Sequence, residues 1–392
     1  MDYTKFLNAR VANIKPSGIR KFFELVSEIP NAVSLGVGEP DFRTPYFIGE
    51  RAIKSIKDGR TQYTSNNGKR ELRELISEYL TVRFGIDYAP DEVLVTVGAS
   101  EGIDLAMRAI LETNDEVLIP EPSFVSYAPC VLLAGGVPVP IECREKDGFA
   151  VTPEAIERAA TAKTKAILLS YPNNPTGAVM TKEQIEAIAP IIIKHDLLLL
   201  SDEIYAELTY GALHFSPASI PELRERCVYL NGFSKAFAMT GWRLGYLCAP
   251  KPIYEVMYKI HQYSVMCAPT MSQYAGIAAL KQSLEDGFAT ICEMRDSYDK
   301  RRRYMVKALR EIGLTCFEPK GAFYLFPYVG HLGVDGEAFA MGLLEKEKIV
   351  VVPGSAFGES GRDYVRISYA YSMQKLVTAT EKIHKYLIEN FS

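Results

Sequence analysis

Short, wholly apolar runs separated by amphipathic stretches recur through the middle of this chain. They limit its possible folds more than any other feature. Leu197–Leu200 is four consecutive leucines. A strand without alternation has no solvent face, and such strands belong to mostly parallel sheets covered by helices on both sides. Glu92–Val97, Glu116–Ile119, Lys165–Leu169, Cys227–Leu230 and Leu244–Cys248 read as further strands. Helical spacing falls between some of them. Leu72, Leu75, Ile76, Tyr79 and Leu80 follow the i, i+3, i+4, i+7, i+8 rule. Ser100–Leu111 and Thr181–Lys194 also read as helices. The expected fold class is therefore α/β, with a large domain built on a mostly parallel central sheet between helices.

The last third has a different rhythm. A helix near Tyr298–Ile312 precedes a strand at Ala322–Phe326 and a helix at Gly336–Glu347. The strands Ile349–Val352 and Tyr364–Ser368 follow, then a final helix from about Met373. That pattern predicts a smaller α+β domain. The division expected is an N-terminal arm at 1–45 that joins part of the small domain, a large domain at 46–285 and a small C-terminal domain at 286–392.

Composition excludes several partners. The net charge is −4, so there is no basic surplus for nucleic acid. No apolar stretch reaches the ~18 residues of a membrane span, and the first residues lead into no apolar leader. Seven cysteines stand singly, with no C-x-x-C pair. This argues against a metal site and against a disulfide framework. Reduced thiols in a cytoplasm are the expectation.

Chemistry concentrates where strands end. Gly232-Phe233-Ser234-Lys235 follows the strand Cys227–Leu230, and Arg243 comes eight residues after the lysine. A lysine desolvated at a sheet edge can hold a neutral, nucleophilic amine, and an arginine beside it can clamp an anion. Gly98-Ala99-Ser100 lies where a strand passes into a helix, so its backbone N–H groups suit an anion and Ser100 can cap the helix. Phe124 follows the strand Glu116–Ile119 and offers a ring for stacking. Tyr171-Pro172-Asn173-Asn174-Pro175-Thr176-Gly177 is a turn by composition. Asp202 closes a buried strand with an acid at the edge where open α/β sheets bind ligands. Arg366 sits inside a strand pattern and can grip a carboxylate bidentately. Gly36-Val37-Gly38 is no dinucleotide fingerprint, since no third glycine follows and Pro40 stops a helix.

The segment Gly232–Gly245 resembles, position by position, the lysine signature of class I aminotransferases: small, any, small, Lys, then Gly-x-Arg-x-Gly. The likeness extends over nearly the whole chain. It is strongest to the branch of aromatic, aspartate and N-acetyl-diaminopimelate aminotransferases. This resemblance implies a fold type I enzyme with pyridoxal 5′-phosphate bound to Lys235 as a Schiff base. It implies that Gly98, Ala99, Ser100, Ser234 and Arg243 surround the phosphate and that Phe124 stacks on the ring. Asp202 would pair with the ring nitrogen, while Asn174 and Tyr205 would bind the phenolic oxygen. Gly38, Asn174 and Arg366 would hold the substrate, with Arg366 on its α-carboxylate. Tyr63 resembles the tyrosine that reaches the phosphate of a neighbouring subunit, which implies a homodimer with shared sites.

The activity so implied moves an amino group between an L-amino acid and a 2-oxo acid such as 2-oxoglutarate, by ping-pong turnover. A C–S β-lyase on the same scaffold and a non-catalytic regulatory module are the rival expectations. No second arginine matches a distal carboxylate clamp. Arg20, in the arm, is the nearest candidate to meet an acidic side chain, though a surface role suits it better.

Overall fold

The computed structural model describes residues 1–16 and 32–391. Arg20 therefore lies outside the described residues. A seven-stranded sheet forms the centre of the molecule. Its strands are β2 (Val93–Thr96), β3 (Glu116–Glu121), β4 (Val137–Glu142), β5 (Thr164–Ser170), β6 (Leu198–Asp202), β7 (Cys227–Gly232) and β8 (Gly245–Cys248). The order is β2-β8-β7-β6-β5-β3-β4. β8 runs against both of its neighbours, and the other pairings are parallel. The α/β expectation holds.

Alternate residues of the central strands feed two cores. Leu199, Cys227, Tyr229, Val93 and Val95 pack into one, and Leu200, Val228, Leu230 and Leu94 into the other. The leucine run is continuous because both of its faces are buried, by the helices Gly98–Ile110, Lys182–Lys194 and others. β4 was not expected from the sequence. Its Val-Pro-Val-Pro pattern argues against a strand, but β4 is an edge strand and needs no donor on its outer side.

A third core lies around the C-terminal elements and includes Tyr298, Met305, Phe323, Tyr324, Leu343 and Ile383. A short strand, β1 (Val33–Ser34), pairs in parallel with β10 (Ile349–Val350). The antiparallel set β11 (Val352–Pro353), β12 (Val365–Ser368) and β9 (Tyr324–Leu325) lies beside it. The run expected as one strand at Ile349–Val352 is thus split between two sheets. The helix near Tyr298 begins earlier, at Ala289, and ends at Glu311. It spans two cores: Ile291 packs with the sheet, and Met294 and Tyr298 with the C-terminal cluster. Among the described residues, no helix is long and apolar enough to cross a membrane.

Candidate active site

The carboxyl ends of β2, β3, β5, β6 and β7 open on one cavity of about 400 Å³. Its lining includes Gly38, Ala99, Ser100, Phe124, Asn174, Asp202, Tyr205, Ser234, Lys235, Arg243 and Arg366. The residues from Ala99 to Arg243 meet because strands of the central sheet end on the same edge, and Gly38 and Arg366 are brought to it by the segment after β1 and by β12. Gly98 adjoins the cavity. An added Cβ there would stand 2.7 Å from Arg243 Nη2, so the guanidinium lies against the turn. Tyr63 is 80% exposed and does not line the cavity of its own chain.

The turn after β2 is shaped for an anion. The helix starts at Gly98, and Val97 in the cap position supplies no side-chain hydrogen bond. Ser100 therefore lies inside the first turn, where it cannot serve as the cap. Uncapped N–H groups at a helix start attract negative charge. Gly245 makes the close approach possible, since a Cβ there would meet Ala99 N and Gly98 C at 2.5 Å. Ala238 and Arg243, on the loop after β7, have φ of +52° and +51°. Non-glycine residues adopt this region at a cost, and such strain gathers at functional sites.

Lys235 Nζ donates to the Gly38 carbonyl at 2.6 Å. Burial lowers its pKa to about 8; the Glu39 carboxylate opposes the shift, while the Arg366 and Arg243 charges reinforce it. Capture of an aldehyde needs the neutral amine. The rate at which Lys235 captures an aldehyde, pyridoxal phosphate on the expectation from the sequence, should rise roughly tenfold per pH unit below about 8 and level off above it. Stopped-flow absorbance checks this, and a flat profile from pH 6.5 to 9 would refute it.

Asp202 is buried at the end of β6. Burial raises its pKa to about 6, and hydrogen bonds from Tyr127 and the Ile204 N–H pull the other way. The Tyr127 hydroxyl lies 2.8 Å from both Asp202 Oδ2 and Ser170 Oγ, and Ile204 N–H donates to Oδ1 at 3.2 Å. An acid held this way favours a cationic partner. The Tyr205 hydroxyl is 2.8 Å from that of Tyr324, and burial raises the Tyr205 pKa.

Arg366 is 2% exposed. Nη1 donates to Asn174 Oδ1 at 2.7 Å and Nη2 to the Gly36 carbonyl at 2.6 Å. Its Nε is buried with no partner among the described residues. The guanidinium stacks over Tyr324 and Phe357, at 4.4 and 4.8 Å from the ring centroids. Burial lowers its pKa. A buried cation held by neutral acceptors, with a donor to spare, is prepared for a carboxylate. The Asn174 orientation that accepts from Arg366 leaves its Nδ2 as a donor for a ligand.

Tyr127, Ser170 and Tyr324 also line the cavity and were not singled out from the sequence. Tyr127 lies within a segment read for Phe124, and its ring packs edge-on to Phe124 at 5.6 Å. No spacing rule could have linked its hydroxyl to Asp202, 75 positions on.

The uncapped turn, the adjacent guanidinium, the buried acid and the desolvated lysine fit a phosphate, a cationic ring and an aldehyde on one molecule, which is what pyridoxal phosphate presents. The model for aminotransferase class I and II matches residues 30–383. Aromatic-amino-acid aminotransferase 2 of Thermococcus litoralis is 44% identical over 98% of both chains. Aspartate aminotransferase of Pyrococcus abyssi is 43% identical, again over 98% of both. The crystal structure of an aromatic aminotransferase from Pyrococcus horikoshii superposes with a TM-score of 0.89 at 44% identity, covering 95% of this chain and 99% of that one. Sequence, fold and site chemistry therefore agree that this chain belongs to the class I and II aminotransferases, enzymes that depend on pyridoxal phosphate.

Proposed function

We propose that this aminotransferase takes aromatic L-amino acids as donors and 2-oxoglutarate as acceptor, and that it works in the cytoplasm as a homodimer in which Tyr63 completes the partner's phosphate site. We further read residues 1–45 as an arm, 46–285 as the cofactor domain and 286–392 as the small domain. One observation carries the substrate reading. Among the described residues that line the cavity, the cations are Lys235, Arg243 and Arg366. Each has its own task, and the remaining walls include Val37, Ile103, Phe124 and Tyr324. An apolar or aromatic side chain suits such walls, and the distal carboxylate of 2-oxoglutarate must reach a partner outside this lining. Aspartate is the second reading, favoured by the relatives that bear that name.

The residues divide the work as follows. Bound pyridoxal phosphate supplies an aldehyde that captures amines and an electron-withdrawing ring that stabilises negative charge at the substrate's α-carbon. The Gly98–Ser100 turn, Ser234 and Arg243 hold the phosphate, and Phe124 stacks on the ring. Asp202 carries the charge that keeps the ring nitrogen protonated, and the Tyr127 hydroxyl orients its carboxylate. Asn174 and Tyr205 donate towards the phenolic oxygen. Arg366 fixes the α-carboxylate, with the Gly38 backbone beside it, and so aims the Cα–H bond. Lys235 Nζ is the mobile-proton atom: as free base it takes the α-proton, and as ammonium it returns one.

A panel of amino donors with 2-oxoglutarate, scored by kcat/KM, tests the specificity. Tyrosine and phenylalanine are expected to exceed aspartate by about tenfold or more, the discrimination apolar contact typically supplies. Aspartate turning over faster would overturn the aromatic reading and leave the aminotransferase assignment untouched.

A further inference from the structure

His261 lies fully buried on the helix Lys251–Ser264, and both of its ring nitrogens face acceptors. Nδ1 is 2.7 Å from Glu101 Oε1, and Nε2 is 2.8 Å from the Asn66 carbonyl oxygen. A carbonyl offers no proton, so Nε2 must donate to it. That leaves one proton for Nδ1 and Glu101 to share. The other Glu101 oxygen accepts the Val97 N–H, so the carboxyl group is tied to the turn as well as to the ring. The pair therefore holds that proton between its two members and carries no net charge.

The two acceptors belong to two parts of the site. Glu101 follows Ser100 in the first turn of the Gly98–Ile110 helix, where a bare carboxylate would oppose a phosphate on the turn. Asn66 belongs to the loop that carries Tyr63. That loop is fixed further by Thr270 Oγ1 donating to the Gln62 carbonyl at 2.7 Å and Gln273 Nε2 donating to Thr64 Oγ1 at 2.9 Å. Its backbone is thus anchored while the Tyr63 ring stays 80% exposed.

We propose that His261 is a positioning residue, a buried ring that shares a proton with Glu101, so cancelling its charge behind the phosphate turn, and at the same time pins the Tyr63 loop. The inference rests on the reading of the Gly98–Ser100 turn as the phosphate site. It makes retention of the cofactor depend on a charge pair that touches neither cofactor nor substrate.

The test compares cofactor release from four holoenzymes after dilution, followed by absorbance: wild type, His261→Gln, Glu101→Gln and the double variant. His261→Gln leaves the carboxylate unbalanced and is expected to speed release about tenfold, the scale of one charge interaction in a partly buried site. Adding Glu101→Gln is expected to return release to within about threefold of wild type, because no net charge remains to be balanced. A double variant that releases as fast as His261→Gln or faster would mean that His261 only fills space, and would overturn the proposal. Nitrogen-15 shifts of the cofactor-free protein provide a second readout. His261 Nε2 is expected at a protonated-type shift because it donates to the Asn66 carbonyl, and an unprotonated Nε2 would overturn the proposal. Arg243→Leu separates the two readings. If it releases cofactor no faster than wild type, the phosphate assignment fails, and with it the role given to the charge pair.

Discussion

Lys235→Ala is expected to reduce amino transfer by about 10⁴-fold or more, with the fold unchanged. General acid–base catalysis by a positioned group typically contributes 10²–10⁴-fold, and loss of the covalent anchor adds to it. No other amine can take over. Among the described residues lining the cavity, the other nitrogen bases are guanidinium groups, which do not deprotonate in proteins. Asp202 is directed at Tyr127 and Ile204 N–H rather than at Gly38, where the lysine amine lies. The measurement is the half-reaction with an excess of donor, followed by cofactor absorbance. Borohydride reduction is expected to fix the cofactor at position 235 in wild type and not in the variant. A variant within tenfold of wild-type turnover would remove Lys235 from the mechanism. Because Lys235 is held below its ordinary pKa mainly by burial, the variant is expected to be at least as resistant to heat as the cofactor-free wild type. Between about pH 8 and 10.5 the unfolded chain binds more protons at this position than the folded one, so the wild type regains stability as pH rises through that window.

Arg366→Met is expected to lower kcat/KM by about 10³-fold. Two charge-assisted hydrogen bonds to a carboxylate, at roughly 1.5–3 kcal/mol each, cover that loss. The effect should fall on both KM and kcat, because the clamp also aims the α-hydrogen at Lys235 Nζ. Arg366→Lys should recover little, since a point charge cannot reproduce the fork that spans Asn174 and Gly36. Stability provides the contrast. The guanidinium is buried against two neutral acceptors and leaves Nε unpaired, an arrangement that costs folding energy. The thermal midpoint of the cofactor-free Arg366→Met protein is therefore expected to hold or rise. If midpoint and activity fell together, the arginine would be a structural residue and the α-carboxylate would need another partner.

The central strands were legible because burial on both faces leaves no alternation. Leu197–Leu200, Cys227–Leu230 and Lys165–Leu169 were placed to within two residues at either end. The edge strand Val137–Glu142 was not legible, because its prolines are tolerated only where a neighbour is missing, and neighbours are a property of the assembled sheet. The reversal of β8 likewise leaves no local trace. Among the site residues, those carried by compact motifs, such as Lys235 with Arg243 or Asn174 between its prolines, stood out in the chain. Tyr127 and Tyr324 did not, since a tyrosine in a hydrophobic stretch looks like core until its hydroxyl is seen against Asp202 or Tyr205.

By itself the sequence determined the layered α/β plan and the chemical groups available at each strand end, because apolar periodicity and turn composition act over a few residues. Only the tertiary structure decided which groups meet: that Arg366 lies against Gly36 and Asn174, that Tyr324 backs Tyr205, and that His261 stands between Glu101 and Asn66. Those contacts bridge up to 330 positions. They are fixed by sheet order and by burial of polar groups that must find partners, which no local window of sequence contains.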